Sequence, residues 1–342
     1  MQHTPLVSVI VVTLNNGALL KNCLASLMAQ SWPAIEIIVV DNGSDEDIAG
    51  LVAQEFPRAT FLRFEENLGF AEGNNRGIAA SRGEFVALIN NDAAASPDWI
   101  KSLVESAMAE PRAGAVASVI IDGNTPAVFD SLGMGAALDG MARQVAKGTL
   151  VGGASYPAEV LMASGCACLY RRAALDEVGL FDPDFFAYCE DSDLGLRLQM
   201  AGWRCLLAEN AVVHHYYSMT FGRFSMKKVY WVERNHFWVF FKNYPLILFP
   251  LLPLATAWRL FLQAWYLLRG NAATDGFRQN TSMQELAGVY ARAYIDMARA
   301  IPKMLGKRLK NPRRIGMWKA AMLLHVHRLS MKQVLGIAKR GN

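Results

Sequence analysis

Three groups of residues in this 342-residue chain have the types and spacing to do chemistry. The first is Asp92, which follows the apolar run Glu84-Phe-Val-Ala-Leu-Ile89 and the amides Asn90 and Asn91. An Asp at the end of a strand is either a turn former or a ligand for a cation. The second is Glu190-Asp191-Ser192-Asp193, directly after the aromatic stretch Phe185-Phe186-Ala-Tyr188. Three carboxylates packed beside aromatic rings repel one another and require a cation, a partner or a raised pKa. The alternative is an ordinary acidic helix start, where the macrodipole favours Asp and Glu; Asp193 suits that role best. The third is His214-His215, after the short apolar run Ala211–Val213. A His here is a satisfied structural residue or, paired with a distant Asp, a metal ligand.

The elements around these groups alternate between strand and helix. Val7–Thr13, Glu36–Val40, Thr60–Phe64 and Glu84–Ile89 are β-branched or apolar on both faces, the pattern of buried parallel strands. Helical spacing covers Leu19–Ala29, Ile48–Glu55, Asn74–Ser81 and Pro97–Ala109, the last with Ser96 as N-cap. Gly165–Leu175 reads as a strand entering a helix, Asp191–Ala201 as a helix and Met226–Lys242 as a long helix, while 113–160 reads as irregular strands and loops. The fold class is therefore α/β, with a mostly parallel central sheet covered by helices on both faces. Ligands bind such sheets outside the carboxyl ends of the strands. Thr13-Leu-Asn15, Asp41-Asn42, Asn67 and Asn90-Asn91-Asp92 all lie at those ends.

Composition narrows the function classes. There is no P-loop and no HExxH motif, and Gly133-Met-Gly135 lacks the third glycine of a dinucleotide fingerprint, Leu138 standing there instead. The five cysteines (Cys23, Cys166, Cys168, Cys189 and Cys205) show no CxxC spacing and suit a reducing compartment. No leader pattern precedes the first strand, so the catalytic body is expected to stay in the cytoplasm. Residues 301–342 carry 11 Lys and Arg and no Asp or Glu, leaving 23 basic against 30 acidic side chains in residues 1–300. A basic tail meets nucleic acid or an anionic membrane. The neighbouring apolar stretch Tyr244–Leu268 favours the membrane over nucleic acid. Pro245, Pro250, Pro253 and Arg259 interrupt that stretch, which points to a hairpin or interfacial segment more than to a simple span. Ile315, Trp318, Met322, Val326 and Leu329 fall near one helical face of the tail.

The chain resembles the family 2 glycosyltransferases with the GT-A fold, and within them the rhamnosyltransferase-like members of bacterial polysaccharide assembly. The resemblance is carried by Val7-Ser-Val-Ile-Val-Val-Thr-Leu-Asn15, Val40-Asp-Asn-Gly-Ser-Asp45, Asn67-Leu-Gly-Phe-Ala-Glu-Gly-Asn-Asn-Arg-Gly77 and Leu88-Ile-Asn-Asn-Asp92. Further along come Gly165-Cys-Ala-Cys-Leu-Tyr-Arg-Arg172, Phe181-Asp-Pro-Asp-Phe-Phe-Ala-Tyr-Cys-Glu-Asp191, Gly202-Trp203 and Val213-His-His215. The motifs keep the family's order over about residues 6–240.

The resemblance implies a catalytic domain at residues 1–230, and the apolar and basic segments beyond it make 231–342 a helical, membrane-associating region. It implies that Asp41 bonds the nucleotide base and that Asn67, Gly69 and Asn75 line the ribose and phosphates, with Thr13, Asn15, Asn90 and Asn91 on the same donor side. Asn90-Asn91-Asp92 stands where the family has its DxD motif, with Asn90 in place of the first acid. Asp92 would hold Mg²⁺ or Mn²⁺ together with His215, or with His214. Asp191 would be the catalytic base beside Glu190, with Tyr188 and Trp203 on the acceptor side. The implied reaction is inverting transfer of a sugar, rhamnose first, from a nucleoside-diphosphate sugar to a saccharide or polyprenyl-diphosphate-linked acceptor. It would run at the cytoplasmic face of the inner membrane. Competing expectations are a catalytically inactive scaffold of the same fold and a sugar-nucleotide nucleotidyltransferase. The latter normally carries a basic Gly-rich loop that Thr13-Leu-Asn-Asn-Gly17 lacks.

Overall fold

A computed structural model describes residues 4–152, 155–216, 225–269 and 282–336. Its strands are β1 (Val7–Thr13), β2 (Ile35–Asn42), β3 (Thr60–Phe64), β4 (Phe85–Ile89), β5 (Ala93–Ala95), β6 (Ala113–Asp122), β7 (Phe129–Ser131), β8 (Met134–Ala136), β9 (Ala142–Gln144), β10 (Ala167–Arg171) and β11 (Arg204–His215). The main sheet runs β3-β2-β1-β4-β10-β6-β11-β5, with β7 added beside β6. β3, β2, β1 and β4 are parallel, as their two-sided apolar character requires. β10 enters antiparallel between β4 and β6, β6 and β11 pair in parallel, and β5 closes the edge antiparallel to β11. The sheet is thus mixed outside its N-terminal half.

Both faces are covered. Along β1, Val7, Val9 and Val11 face one apolar layer and Ile10 the other; along β4, Phe85, Ala87 and Ile89 alternate in the same way with Val86 and Leu88. The first layer is filled from helices α1 (Gly17–Met28), α2 (Ile48–Glu55) and, after α3 in chain order, α4 (Trp99–Ala109). The second is filled from α3 (Gly69–Ala80), α5 (Arg172–Val178) and α6 (Glu190–Met200). α3 sits very close to the sheet: a Cβ on Gly77 would lie 2.4 Å from Ile10 Cγ2. The helix starts at Gly69 rather than at Asn74, and Asn67 Oδ1 accepts from Gly69 N–H at that start. α4 starts at Trp99 rather than Pro97, because Ser96 N–H donates to Val212 O at the sheet edge and Ser31 N–H to Pro97 O.

The C-terminal region is helical: α7 (Met226–Asn243), a 3-10 turn (Leu246–Leu251), α8 (Leu252–Arg269), α9 (Met283–Lys310), α10 (Met317–Val326) and α11 (Met331–Val334). It shares a core with the sheet body, where Trp238, Phe240 and Met304 pack with Met162, Phe185 and Leu196. The tail face expected from Ile315 to Leu329 divides. Trp318, Met322 and Val326 are exposed, while Leu329, beyond the helix end, is buried. The end of the basic tail, 337–342, lies outside the described residues.

Candidate active site

The carboxyl end of β4 leads through Asn90-Asn91 to Asp92 and then at once into β5. β5 pairs with β11 so that His215 stands opposite Ala93, and Tyr216 N–H donates to Asp92 O at 2.9 Å. This register brings His215 Nε2 to 3.3 Å from Asp92 Oδ1. His214 falls one residue off it, on the other face of β11. The second ring nitrogen of His215 meets Asp130 Oδ2 at 2.8 Å, and Lys147 Nζ holds the other oxygen of Asp130 at 2.5 Å. Burial disfavours the His215 cation, but Cys166 and the Asp130 and Asp92 carboxylates outweigh it and raise its pKa. Burial likewise opposes the Asp130 charge, and His215 and Lys147 still hold that carboxyl well below the usual range. A carboxylate and an imidazole therefore converge, with the imidazole's orientation locked from behind, the arrangement that fixes a ligating histidine. Among the described residues no cluster of three His, Cys, Asp or Glu side chains could hold a metal. With the His215 Nε2 proton displaced, Asp92 and His215 would offer a cation two donors, and its remaining positions would fall to substrate oxygens and water.

The acids of α6 separate into two kinds. Asp193 is fully buried and points away from the strand ends. Its Oδ2 accepts from Arg197 and Lys242, each at 2.9 Å, and its Oδ1 from Asn243 at 2.8 Å. Burial opposes its charge, yet Lys242 and Arg197 bring its pKa down to about 2. Glu190 is buried, and its Oε2 finds no hydrogen-bond partner among the described residues. Burial and then the Asp191 charge push it well above the carboxylate range. Asp191 is partly exposed. Its Oδ2 accepts from Gly165 N–H at 3.1 Å and its Oδ1 from Ser192 N–H at 2.7 Å. Burial raises its pKa against the pull of those amides. Gly165 and Cys166 join the two centres. Gly165 contacts Asp191, while Cys166 O accepts from Asn90 N–H at 2.8 Å and its thiol faces His215.

The loop that delivers Glu190 is strained. Phe186, Tyr188 and Cys189 all have positive φ (65°, 68° and 70°), each costing of order 1–3 kcal/mol. Asn235 of α7 holds them there: its buried amide reaches Phe185 O, Ala187 O and Tyr188 O at 2.8–3.0 Å. Gly69, with φ +81°, meets the same loop, and a Cβ there would lie 2.5 Å from Phe186 O. Tyr188 lies beside Trp231 (centroids 6.3 Å) with Lys228 Nζ over its ring at 5.2 Å.

On the other side of the cleft Asp41 is fully buried, with Oδ1 accepting from Ser44 N–H (2.9 Å) and Arg63 3.4 Å from Oδ2. Asn15, itself left-handed at φ 60°, takes Asp45 N–H on its side-chain oxygen at 2.8 Å. Thr13 Oγ1 accepts from Asn91 Nδ2 at 2.8 Å, tying the ends of β1 and β4. Asn67 Oδ1 accepts from Gly69 N–H and Asn42 Nδ2 at 2.8 and 3.0 Å. These residues share one edge, as expected.

Two expectations change. Asn75 does not line the cleft with a spare amide: it clamps Phe181, accepting from its N–H at 3.0 Å and donating to its O at 2.9 Å. Trp203 is not on the acceptor side. It precedes the first residue of β11, whose last is His215; the two ends pair with Ala113 and Asp122 of β6, so roughly 30 Å separate them. There its indole donates to Glu177 at 3.1 Å under the Arg112 guanidinium. Sequence reading also missed Asp130, Gly165, Cys166 and Asn235 as parts of the site. Asp130 contacts His215 across 85 residues of chain, and Asn235 sits inside a helical pattern that marks it as nothing special.

Comparison with known proteins identifies the family and the fold. The family model "Glycosyl transferase family 2" matches residues 8–179. An N-acetylglucosaminyl-diphospho-decaprenol L-rhamnosyltransferase of Mycobacterium tuberculosis is 30% identical over 248 residues, covering 64% of this chain and 79% of that protein. Among solved structures, the mannosyltransferase PcManGT of Pyrobaculum calidifontis, in complex with GDP-Man and Mn²⁺, superposes with a TM-score of 0.55 at 20% identity. It covers 95% of this chain and 87% of its own. TarS 1–349 of S. aureus, in complex with UDP-GlcNAc, gives 0.54 at 18% identity, covering 88% and 82%. The likeness to the two structures is one of fold.

Proposed function

The chain belongs to glycosyl transferase family 2 and has the GT-A fold, and on that premise we propose that it is an inverting, metal-dependent transferase moving rhamnose from a nucleoside-diphosphate sugar to a saccharide on a polyprenyl diphosphate. The observation that supports this reading most is the joining of Asp92 and Asp191 through Gly165 and Cys166 at one sheet edge. One carboxylate, Asp92, stands 3.3 Å from an imidazole nitrogen. The other has its pKa raised toward the range of a working base.

In this mechanism Asp41, Asn15 and Asn67 position the nucleotide at the ends of β1 and β2. Asp92 and His215 would hold Mg²⁺ or Mn²⁺, with Asp130 orienting the imidazole. Bound there, the cation offsets the charge gathering on the diphosphate leaving group. Asp191 takes the proton of the acceptor hydroxyl as that oxygen attacks the anomeric carbon opposite the leaving group, so the configuration inverts. Burial and the neighbouring Asp191 charge raise the pKa of Glu190 beside it, which disfavours a second charge next to the base. Tyr188 stands where the acceptor must approach. The name of the mycobacterial relative supports a lipid-linked acceptor, and with such an acceptor the proposed location is the cytoplasmic face of the plasma membrane, with residues 1–230 proposed as catalytic and 231–342 as membrane-associating.

A panel of dTDP-rhamnose, UDP-GlcNAc and GDP-mannose, each with N-acetylglucosaminyl diphosphate on a short polyprenyl chain, tests the reading. The expected result is metal-dependent transfer of rhamnose, with inverted anomeric configuration by NMR. Retention, or transfer unaffected by chelation of divalent metal, overturns the mechanism. Preference for another donor overturns the sugar alone.

A further inference from the structure

Residues Leu246–Leu267 form a helical run of 22 residues with mean hydropathy 1.5, long and apolar enough to cross a bilayer. Its centre forbids that use. Arg259 is fully buried, and not in an apolar setting. Its Nε donates to Asp139 Oδ2 at 2.6 Å, its two terminal nitrogens to Glu233 at 2.9 and 3.0 Å, and one of them meets His236 Nε2 at 3.2 Å. Asp139, Glu233 and His236 are themselves buried in the loop between β8 and β9 and in α7. To cross a membrane, α8 would have to pull its Arg out of this cluster, leave two carboxylates buried without their cation, and carry the guanidinium into hydrocarbon.

The opposite side of α8 is exposed and apolar. Leu254, Trp258, Phe261 and Trp265 follow one another at helical spacing, Leu254 at 70% exposure. Trp258 and Phe261 stack at 5.7 Å, and Arg269 caps Trp265 at 4.0 Å. A second stripe, Trp318, Met322 and Val326, stands on α10, Trp318 at 71% exposure, while Ala320 and Leu324 of the same helix face inward. The 3-10 turn that leads into α8 packs on α10, where Leu248 and Phe249 share a cluster with Leu323 and Leu324. Exposed cations rim the stripes, Lys319 and Arg328 among them, in a segment that holds no Asp or Glu from 301 to 336.

We propose that the Trp258 face of α8 and the Trp318 face of α10 together dock on an anionic lipid bilayer, with α8 lying in the plane of the surface and Arg259 pinning it to the catalytic body. Tryptophan prefers the depth of the headgroups, and Lys and Arg beside it meet anionic lipid. This names the surface behind the membrane location proposed above, and it fails separately from it: an enzyme active on a soluble acceptor analogue that ignores vesicles overturns the docking alone.

The test is flotation of the full chain with vesicles of phosphatidylcholine, alone or mixed with phosphatidylglycerol. The expected result is binding that rises with phosphatidylglycerol and falls with salt, and that drops by about tenfold or more in a Trp258→Gln, Phe261→Gln variant whose donor binding is unchanged. A nitroxide on a Cys placed at Phe261 should report a depth at the headgroup–acyl boundary. A label at the bilayer centre, with the chain beyond α8 protected from added protease, overturns the in-plane arrangement. So does a variant that changes the oligomeric state of the protein without changing vesicle binding, which would make the face a contact between copies.

Discussion

Asp193→Asn separates the structural acid of α6 from the pair proposed to be catalytic. Two residues along a helix do not share a face, so Asp193 points to Arg197, Lys242 and Asn243 while Asp191 points to Gly165. The Asp193 carboxyl is brought down from 3.8 to about 2. A drop of that size corresponds to ~2–3 kcal/mol of folding stability at neutral pH. Because the folded value is the lower one, this stability is fully present above about pH 4 and disappears as pH falls through about 2. Asparagine keeps an oxygen for Arg197 and Lys242 but not the charge, so the variant should lose ~2–3 kcal/mol at pH 7 and about half as much at pH 3. Urea unfolding at the two pH values reads the difference, and turnover per folded molecule should stay within about threefold of wild type. A variant as stable as wild type, or one whose turnover per folded molecule falls by about a hundredfold, refutes the division of the acids.

Asp130→Asn removes the carboxylate that orients His215 and frees Lys147, so activation by Mn²⁺ should need about 10–100-fold more metal while turnover at saturating metal changes less. An unshifted activation curve would show that Asp130 is only structural. Glu190→Gln should unfold at equal or higher urea than wild type at pH 7 even as turnover falls. Burial raises the folded pKa of this acid, so its charge costs stability above the unfolded value and the gap should close below about pH 4. Urea curves from pH 4 to 8 check this, and a less stable variant at pH 7 contradicts it.

The parallel half of the sheet was legible because β1, β2 and β4 are apolar on both faces, which few other elements are. β6 was not: Ala113-Gly-Ala-Val-Ala-Ser-Val119 is too small and too uniform to show a period, although it is buried throughout. The start of α3 was hidden because Gly69 at positive φ reads as a turn. The acids and amides of the site could be named because strand ends are where ligands bind, but which strand end each one reaches depends on pairing. His215 was preferred to His214 only through the resemblance; the residues alone left the pair open until the register with Ala93 set one of them beside Asp92. Trp203 was assigned to the acceptor side because a motif carries no information about which end of β11 it occupies. Arg259 stands out in the sequence as a charge inside an apolar run, but its partners Asp139 and Glu233 lie 120 and 26 residues away. Long-range pairs of this kind leave no local trace.

The division of labour between Asp92 and Asp191 is tested most directly by Asp191→Asn, assayed for sugar transfer and, separately, for binding of nucleoside diphosphate with Mn²⁺. Loss of the base should cut turnover by about 10²–10⁴-fold while nucleotide affinity stays within about threefold of wild type, since Asp191 touches neither Asp92 nor Asp41. Turnover close to wild type, or nucleotide binding lost together with turnover, contradicts it.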